Sequence, residues 1–555
     1  MISSLHFSFG SSATEKPLEI SLPPSVTIFL GPNNSGKSQA LKDILHAAQT
    51  WANPQKKVIS EINYEPVPEQ AAQEFLESHQ TKPIPGQNIY PGQKLIQFNE
   101  EIHSINVNNF IKSFQNPNIK DQISQENFSI FIRGNTLYID GTSRINLLAP
   151  QSRGDLKHPR SLLARIFRDD EKRKIMRDII FESTQLYLAL DVSNGDQIQV
   201  RFGKTPPLDE RSLGEENLHY MESSLSVEEV SDGVKAFSGI IINIHASKKR
   251  IILIDEPEAF LHPSLAFKLG KEISKGAMDE KKHIFAATHS AHFLMGAISS
   301  GATVNIIRLT YKNGTGTARL LPNAELRNLM NDPLLRSVGV LEGLFHESVI
   351  VGEADADRAF YQEINERLLA KNDPRGAPHA QFLNAQNKQT IPRIIGILRR
   401  LGIPAAAVVD IDVLKDGGKV WASYLEAAHI PEAEHQSYST RRISILNLLQ
   451  DSSADFKKDG GINTLKDQDL EAAKNLLQDL QKYGIFVVPN GELESWLSNL
   501  DICRTKSQWL QNIFSRMGSN PSSESYVTPT DGDVWDFIGA MSRWLKAPER
   551  KGIPK

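Results

Sequence analysis

The stretch that decides the fold is Val26-Thr27-Ile28-Phe29-Leu30-Gly31-Pro32-Asn33-Asn34-Ser35-Gly36-Lys37-Ser38. Its leading residues predict a buried strand, and the rest match G-x-x-x-x-G-K-S, the phosphate-binding loop. A helical pattern over 39–48 completes the strand, loop and helix that this motif requires. In such a loop, backbone N–H groups surround phosphates, the lysine neutralises their charge and the serine hydroxyl reaches Mg²⁺. We therefore predict an α/β nucleotide-binding domain that binds phosphate through Gly31, Asn34, Gly36, Lys37 and Ser38, with Ser38 also a ligand of Mg²⁺.

A second apolar strand ends in acidic residues, in Ile251-Ile252-Leu253-Ile254-Asp255-Glu256-Pro257. Ligands of parallel α/β sheets bind outside the carboxyl ends of the strands, which is where this acidic pair falls. We expect Asp255 to hold the Mg²⁺ shell and Glu256 to polarise the water that attacks the nucleotide.

Length and composition limit the class of protein. A chain of 555 residues exceeds what one hydrophobic core usually organises. Lys and Arg number 62 against 66 Asp and Glu, so any contact with nucleic acid must come from local basic patches. The single cysteine, Cys503, excludes an intrachain disulfide and Cys-rich metal sites. The first residues show no leader pattern and no later stretch approaches about 18 apolar residues, so we expect a cytoplasmic protein.

Several segments between these motifs have their own signatures. We predict strands at 5–9 and 18–22, a polar insertion over about 51–127, a hairpin over 129–139, charged helices over 160–183, and a mobile loop over 451–467. Strand and helix patterns alternate from 233 to 287 and again from 348 to about 496, which is typical of two α/β sheets.

The nucleotide motifs resemble those of ABC-type ATPases, in the branch shared by SMC-like proteins and the OLD (overcoming lysogenisation defect) nucleases. Asp255-Glu256-Pro257-Glu258-Ala259-Phe260-Leu261-His262-Pro263 is similar to the extended Walker B and D-loop of that branch. Val230-Ser231-Asp232-Gly233 resembles the signature motif, although it departs from the usual Ser-Gly-Gly-Gln. The resemblance implies that Ser231 and Gly233 bind the γ-phosphate of ATP held by an opposite subunit. It also implies that His289, in Thr288-His289-Ser290, senses that phosphate, and it makes Gln151 a candidate Q-loop residue.

Acidic residues follow three strands of the second α/β set. Glu353 and Asp357 come after 348–351, the pair Asp410 and Asp412 after 405–409, and Glu492 with Glu494 after 484–488. So many carboxylates at one sheet edge repel one another unless cations lie between them. Oxygen ligands alone favour Mg²⁺ or Mn²⁺, and a pair of such ions suits hydrolysis of a phosphodiester.

This order resembles the TOPRIM fold, in which Glu-Gly-x-x-Asp, Asp-x-Asp and a later Glu follow successive strands. Ala354 stands where that family usually has glycine. The resemblance implies metal ligation by Glu353, Asp357, Asp410, Asp412 and Glu494, with Glu492 an additional candidate. Family members also place a late lysine near the scissile phosphate, and Lys546 and Lys551 are the candidates here.

An ABC-type ATPase followed by TOPRIM is the arrangement of OLD proteins. It implies an ATPase domain over 1–340 with insertions at about 51–127 and 158–225, the latter a candidate helical dimerisation arm. A TOPRIM domain follows over 341–500, with an insertion at about 420–480, and then a C-terminal segment over 501–555. The implied function is an ATP- and metal-dependent DNA endonuclease in anti-phage defence, acting as a homodimer or larger oligomer on double-stranded DNA. It would act alone or with a partner such as a retron ribonucleoprotein. The alternatives are an SMC-like ATP-driven clamp that binds DNA without cleavage, and a nuclease that acts on RNA.

Overall fold

Buried strands and amphipathic helices alternate along the chain in the computed structural model. It describes all residues except 13, 50–56, 82–88, 99–100, 119–121, 313, 338, 505 and 555. The chain forms two units, Met1–Arg327 and Asn328–Lys555. Among the described residues, no helix is both long and apolar enough to cross a membrane.

The first unit contains most of the strands. They are β1 (Ile2–Phe7), β2 (Glu19–Ser21), β3 (Val26–Leu30), β4 (Ile59–Tyr64), β5 (Gln93–Phe98), β6 (Glu101–Asn106), β7 (Thr136–Ile139), β8 (Gln151–Ser152), β9 (Tyr187–Asp191), β10 (Gln197–Gly203), β11 (Leu225–Ser226), β12 (Ile251–Asp255), β13 (His283–Ala287), β14 (Val304–Lys312) and β15 (Thr315–Leu321). Its helices are α1 (Lys37–Gln49), α2 (Glu69–His79), α3 (Val107–Gln115), α4 (Gln122–Asn135), α5 (Leu162–Arg168), α6 (Asp170–Thr184), α7 (Glu215–Ser223), α8 (Asp232–Ala246), α9 (Pro263–Asp279) and α10 (Ala291–Ser299). The helix α11 (Asn323–Asn331) crosses the boundary between the units.

The central sheet of this unit has the order β15-β14-β3-β13-β12-β7. All its pairs are parallel except β14 with β15. β3 is buried along its whole length, as a strand covered on both faces requires. Because β3 and β12 flank β13 and point the same way, the phosphate loop and Asp255 meet at the same edge. The strands predicted at 5–9 and 18–22 form a separate antiparallel sheet with β4, in the order β2-β1-β4.

The hairpin predicted over 129–139 is wrong. Residues 122–135 form α4, and only β7 is a strand, paired in parallel with β12. Phe128, Phe131 and Ile132 follow helical spacing and pack into the core, with the ring of Phe131 edge-on to Phe75 and Phe114. An aromatic stripe with a period near 3.6 therefore overrides the turn signal of Gly134 and Asn135.

The two predicted insertions of the first unit are folded onto it. In the described part of 51–127, Phe110 and Phe114 share a core with Phe29 of the central sheet. The helices expected over 160–183 are α5 and α6, as predicted. Lys172 of α6 donates to the carbonyl of His245 at 2.9 Å and pairs with Glu280 at 3.0 Å. These contacts lie within the first unit, and a role of this segment as a helical dimerisation arm stays a prediction.

The second unit is built on a parallel sheet of order β17-β16-β18-β19, as in an α/β domain. Its strands are β16 (Ser348–Gly352), β17 (Ala380–Asn384), β18 (Ala405–Val409) and β19 (Ile485–Val487). Its helices are α12 (Pro333–Ser337), α13 (Asp355–Ala370), α14 (Ile391–Arg400), α15 (Gly418–Ala427), α16 (Glu432–Ser452), α17 (Asp467–Lys482), α18 (Lys506–Met517) and α19 (Asp533–Lys546). Trp509 and Trp535 are buried in the same core as Ile350 and Phe486, so the segment after residue 500 belongs to this unit.

Candidate nucleotide and metal sites

Backbone geometry shapes the phosphate-binding loop. Gly31, Asn34 and Gly36 all have positive φ, at 142°, 59° and 95°. A β-carbon on Gly31 would lie 2.0 Å from the carbonyl oxygen of Leu309, so that position admits only glycine. The loop borders an open cavity of about 560 Å³ that is lined by residues 33–39 and by His289.

Lys37 and Ser38 begin α1 directly beneath this cavity. The Lys37 ammonium donates to the carbonyls of Gly31 at 2.9 Å and Pro32 at 2.6 Å. Burial lowers the pKa of Lys37 to about 8, although Glu256 and Asp255 oppose this shift. A desolvated cation in a glycine-containing loop at the start of a helix suits a phosphate ligand.

The Ser38 hydroxyl donates to Oδ1 of Asp255 at 2.9 Å, which joins the two halves of the predicted Mg²⁺ site. Burial raises the pKa of Asp255, and the neighbouring Glu256 adds to that rise. Because the hydroxyl and the carboxylate converge at the ends of β3 and β12, both can ligate one cation beside the phosphates.

A buried arginine holds the acidic turn after β12. Arg144, which is fully buried, donates to the carbonyl of Glu256 at 2.7 Å, to that of Ala259 at 3.4 Å, and to that of Asp255. Glu256 and Phe260 within this turn have positive φ, at 51° and 69°, which side chains rarely adopt. The guanidinium therefore fixes a strained backbone from which Glu256 projects.

Glu258 connects the same turn to the predicted sensor histidine. Its carboxylate accepts from the Thr288 hydroxyl at 2.8 Å and from the backbone N–H of His289 at 2.7 Å. Burial raises the pKa of Glu258, and these hydrogen bonds oppose the rise. The pKa of His289 is lowered by burial and then by the charge of Lys37. A change at His289 can therefore reach the acidic turn through one carboxylate.

The signature and Q-loop candidates lie on neighbouring elements. The Ser231 hydroxyl accepts from the N–H of Val234 at 3.4 Å and caps α8, and a β-carbon on Gly233 would lie 2.9 Å from the carbonyl oxygen of Phe260. Oε1 of Gln151 accepts from the N–H of Leu163 at 3.1 Å, at the start of α5. In the described part of the chain the cavity lining includes none of these three residues, and their roles stay predictions.

In the second unit, Glu353, Asp410 and Asp412 lie together at the carboxyl edge of the sheet. One carboxylate oxygen from each lies within 4.8 Å of the others. Glu353 follows β16 and accepts from the backbone N–H of Asp410 at 3.0 Å, just beyond β18. The sequence spacing and the parallel register therefore bring together residues 57 apart.

Asp357 and Glu494 face this group. Asp357 lies in the first turn of α13 and accepts from the N–H of Ala354 at 2.8 Å, so alanine in place of the family's glycine does not disrupt the turn. Burial and the Asp410 charge raise the pKa of both Glu353 and Asp357 to about 7. The pKa of Asp410 is also raised, by burial first, and Glu494 contributes to that rise. Glu492, two residues before Glu494 in the chain, is buried, with 2% of its surface exposed.

The donor set fits a divalent cation. Oδ1 of Asp412 is buried and has no hydrogen-bond partner among the described atoms, which leaves a carboxylate oxygen for a metal. All the candidate ligands are oxygens, the type that Mg²⁺ and Mn²⁺ prefer. Lys457 and Lys388 already contact Asp412, at 3.1 and 3.4 Å. Burial raises the pKa of Asp412, but these lysines outweigh it and the pKa is lowered.

Comparison with known proteins places both domains. The model "AAA domain, putative AbiEii toxin, Type IV TA system" matches residues 26–295, and "Overcoming lysogenization defect protein-like, TOPRIM domain" matches residues 344–412. The chain is an OLD-family protein with an ATPase domain and a TOPRIM domain. The expected α/β fold, with an ATPase domain followed by a TOPRIM domain, is thereby confirmed for this OLD-family chain, and the ABC type of the ATPase domain stays a prediction.

Solved structures similar to this OLD-family protein are distant in sequence. One is an SmcHead bound to the C-winged helix domain of ScpA, at 12% identity and TM-score 0.34, covering 59% of this chain and 99% of the other. Another is the SMC head domain from Thermotoga maritima, at 10% identity and TM-score 0.29, covering 58% and 99%. A third is cbiO1 from Clostridium perfringens, part of an ABC transporter complex, at 11% identity and TM-score 0.27, covering 60% and 94%. No curated protein matches the chain.

The structure does not bring the two predicted late lysines of this OLD-family protein to the acidic group. Lys546 donates to the carbonyl of Gly376 at 2.7 Å, and Lys551 lies 5.4 Å from the ring centroid of Tyr483. Gly376 and Tyr483 precede β17 and β19, so both lysines lie at the amino edge of the parallel sheet. The acids lie at the opposite, carboxyl edge.

Sequence reasoning missed four residues that contact these sites, namely Arg144, Glu258, Lys388 and Lys457. Glu258 lies within the stretch that resembles the extended Walker B and D-loop. Its position three residues after Asp255 was the signal that could have indicated a role at the nucleotide site. The three basic residues lie in segments without a motif. Lys457 even belongs to the loop that we expected to be mobile, and no local pattern indicates its partners.

Proposed function

We propose that this OLD-family protein is an ATP-hydrolysing, divalent-metal-dependent DNA endonuclease. The observation that carries the proposal is the oxygen-only triad of Glu353, Asp410 and Asp412 on the TOPRIM sheet, within 4.8 Å and with an unsatisfied Asp412 oxygen. A separate acidic site, with Asp255 and Glu256, lies beside the phosphate loop of the ATPase sheet. Two chemistries on two sheets account for both sets of acids.

At the ATPase site each residue has a distinct task. Lys37 and the loop N–H groups would bind the phosphates, while Ser38 and Asp255 would hold Mg²⁺. Glu256 accepts the proton of the water that attacks the γ-phosphorus, and the bond to the bridging oxygen of the diphosphate breaks. In the proposed homodimer, Ser231 of one subunit contacts the γ-phosphate held by the other, and His289 senses it.

At the TOPRIM site, Glu353, Asp410 and Asp412 would hold the metal, with Asp357 and Glu494 completing the acidic wall. Bound Mg²⁺ or Mn²⁺ supplies an activated water and charge stabilisation at the scissile phosphate. Because burial and the Asp410 charge raise the pKa of Glu353 to about 7, metal binding there would release a proton near neutral pH. We propose double-stranded DNA as substrate and anti-phage defence as the setting, alone or with a partner such as a retron ribonucleoprotein; the family resemblance supports both.

The test is incubation of the full chain with supercoiled plasmid and Mg²⁺ or Mn²⁺, with and without ATP. Wild type should convert the plasmid to nicked or linear forms, and Glu353→Ala should leave it supercoiled. Glu366→Ala, which removes an exposed acid on α13, the helix that follows Glu353, is the control and should cut like wild type. A parallel assay on duplex and single-stranded RNA separates the two substrates. If wild type cuts none of these substrates in either metal, the nuclease proposal is wrong.

A second candidate is an SMC-like ATP-driven clamp that binds DNA without cutting it. The ion pair of Lys457 with Asp410 at 2.7 Å favours it, because a cation of the protein itself already neutralises part of the acidic group. The clamp predicts ATP-dependent retention of DNA, measured by salt-resistant binding to circular plasmid, that Glu353→Ala leaves unchanged. Cleavage that depends on Glu353 would exclude this candidate.

A further inference from the structure

Lys457 is placed at the metal-compatible face of the acidic triad. Its Nζ lies 2.7 Å from Oδ2 of Asp410 and 3.1 Å from Oδ2 of Asp412. Its side chain is only 16% exposed, so this contact is not a surface ion pair with freely rotating partners. Two of the three carboxylates of the triad therefore already form ion pairs with a lysine of the same chain.

The loop that carries Lys457 is fixed by close packing. A β-carbon on Gly491 would lie 1.9 Å from the carbonyl oxygen of Lys457, so the two backbones touch. The N–H of Ile462 donates to the carbonyl of Pro489 at 2.9 Å, and Phe456 beside Lys457 is buried. Since Pro489 and Gly491 follow β19, the turn that leads to Glu494 also positions Lys457. The ammonium reaches the triad because the backbone around it is held there.

An ammonium and a divalent cation compete for the same carboxylates. Both need the lone pairs of Asp410 and Asp412, and like charges a few ångströms apart repel strongly in a partly buried site. Lys388 does not relieve this competition, because it lies between Asp412 at 3.4 Å and Asp416 at 2.9 Å. A metal that takes the Oδ2 atoms of Asp410 and Asp412 would turn Lys457 away, and the ammonium would then need another anion. A phosphate of the nucleic acid backbone is the anion that a nuclease brings to this place.

We propose that Lys457 is a tethered cation that holds Asp410 and Asp412 until a nucleic acid phosphate accepts its ammonium. Metal and nucleic acid then bind cooperatively. Without nucleic acid, the acidic triad has a low affinity for metal. This inference rests on the proposed nuclease function and adds its regulation. Lys457 acts here as a positioning residue, through the carboxylates it contacts.

The test measures Mn²⁺ affinity of the nucleotide-free full chain by electron paramagnetic resonance, with Glu353→Ala defining binding elsewhere. The probe for nucleic acid is a phosphorothioate DNA duplex, checked by gel to remain uncut. Wild type should bind Mn²⁺ about tenfold more tightly with the duplex than without it, a coupling of ordinary size. Lys457→Met should bind Mn²⁺ about tenfold more tightly than wild type without duplex, and the duplex should add little. Lys458→Met is the matched control, since Lys458 is 63% exposed and pairs with Asp455 at 3.1 Å.

Equal or weaker Mn²⁺ binding by Lys457→Met overturns the inference, as does wild-type affinity that ignores the duplex. If Lys457→Met does not fold, Lys457→Gln decides by the same comparison, because it keeps a hydrogen-bond donor without the charge. Plasmid cleavage by wild type is scored separately. If wild type cuts plasmid but Lys457→Met binds Mn²⁺ no more tightly than wild type, only the proposed role of Lys457 is rejected. If Lys457→Met binds Mn²⁺ more tightly but wild type does not cut plasmid, only the nuclease function is rejected.

Discussion

Glu256 lies at a backbone position that its side chain does not favour, with φ of 51°. Only a few per cent of residues other than glycine adopt positive φ, and they persist where surrounding contacts fix them. Here those contacts are the Arg144 hydrogen bonds to carbonyls on either side of Glu256 and the Glu258 bonds to Thr288 and His289. At the scale of the residue, the position of the proposed catalytic carboxylate depends on a guanidinium distant in sequence.

Substitutions at Lys37 and Glu256 should separate binding from hydrolysis. Lys37→Ala should abolish nucleotide binding, because it removes the ammonium that balances the phosphate charge. Glu256→Gln should bind ATP normally and hydrolyse it about 10²- to 10⁴-fold more slowly, since the amide cannot accept the proton of water. Fluorescent ATP titration and phosphate release measure the two effects. Unchanged ATP affinity in Lys37→Ala, or wild-type turnover in Glu256→Gln, would contradict the assigned roles.

Arg144→Lys should lower the turnover of ATP about tenfold or more and leave ATP affinity nearly unchanged. A single ammonium cannot reach the three carbonyls that the guanidinium binds, so Glu256 shifts from its position, and small misplacements are costly in catalysis. Combined with Glu256→Gln, it should cause no further loss, which a general weakening of the fold would not predict. Arg173→Lys is the control, a buried arginine that also donates to carbonyls, those of Ile166 and Phe167. A matching loss in that control would refute a specific role for Arg144.

At the scale of elements, α9 and α10 cross backbone to backbone. A β-carbon on Gly270 would lie 2.1 Å from the carbonyl oxygen of Phe293, and one on Gly296 would lie 1.9 Å from that of Phe267. Each helix therefore supplies the glycine that admits the other. Because α10 begins just after His289 and α9 just after the acidic turn, this crossing fixes the distance between two parts of the nucleotide site.

Gly296→Ala should destabilise the first unit by about 1–3 kcal/mol, because the methyl group forces the helices apart in a well-packed core. It should also slow ATP hydrolysis, since α10 carries the segment of His289 with it. Alanine is the better helix former, so helix propensity alone predicts the opposite sign. Gly396→Ala in α14 is the control, because its nearest contact would be an ordinary 3.4 Å. Thermal unfolding followed by circular dichroism measures both variants, and equal melting temperatures for Gly296→Ala and wild type would rule out the close crossing.

At the scale of the molecule, the two acidic sites belong to different units. Asp255 and Glu256 lie on the sheet of Met1–Arg327, and Glu353, Asp410 and Asp412 on the sheet of Asn328–Lys555. Each unit buries its own aromatic and aliphatic core. Damage to one set of carboxylates should therefore leave the other chemistry intact.

Asp410→Ala should eliminate nuclease activity and keep ATP hydrolysis nearly intact. Without metal, its stability should stay within about 1 kcal/mol of wild type, because the lost pair with Lys457 and the relieved repulsion from neighbouring acids oppose each other. Stabilisation by added Mn²⁺ should shrink, since the bound state loses a ligand. Plasmid cleavage, phosphate release and thermal melts are measured on one preparation. Loss of both activities in a folded variant would show that the sites are not independent.

If ATP bridges two subunits, mixed oligomers should reveal it. Lys37→Ala and Ser231→Arg subunits are each inactive in this arrangement, but a mixed dimer contains one composite site with both native residues. ATP turnover should therefore reappear when the variants are combined, and half of the sites in each mixed dimer should be able to work. Phosphate release by tagged heterodimers, purified through both tags, measures it. Absence of any rescue there would mean that each chain hydrolyses ATP alone.

The sequence by itself determined the parts of this protein that are local in the chain. The phosphate loop needs glycine, lysine and serine at fixed spacing next to a strand, and the acids follow strands directly, so Lys37, Asp255, Glu353 and Asp410 were predicted from short motifs. Tertiary structure alone decided what reaches these motifs from afar. Arg144 and Lys457 bind groups distant in sequence, and a lone basic residue carries no signal of its partner because its contacts depend on how elements pack. The same reason explains two wrong expectations. For the late lysines, the sequence showed the residue type but not the edge of the sheet at which they lie. For α4, it showed a turn signal but not that the aromatic face would be buried.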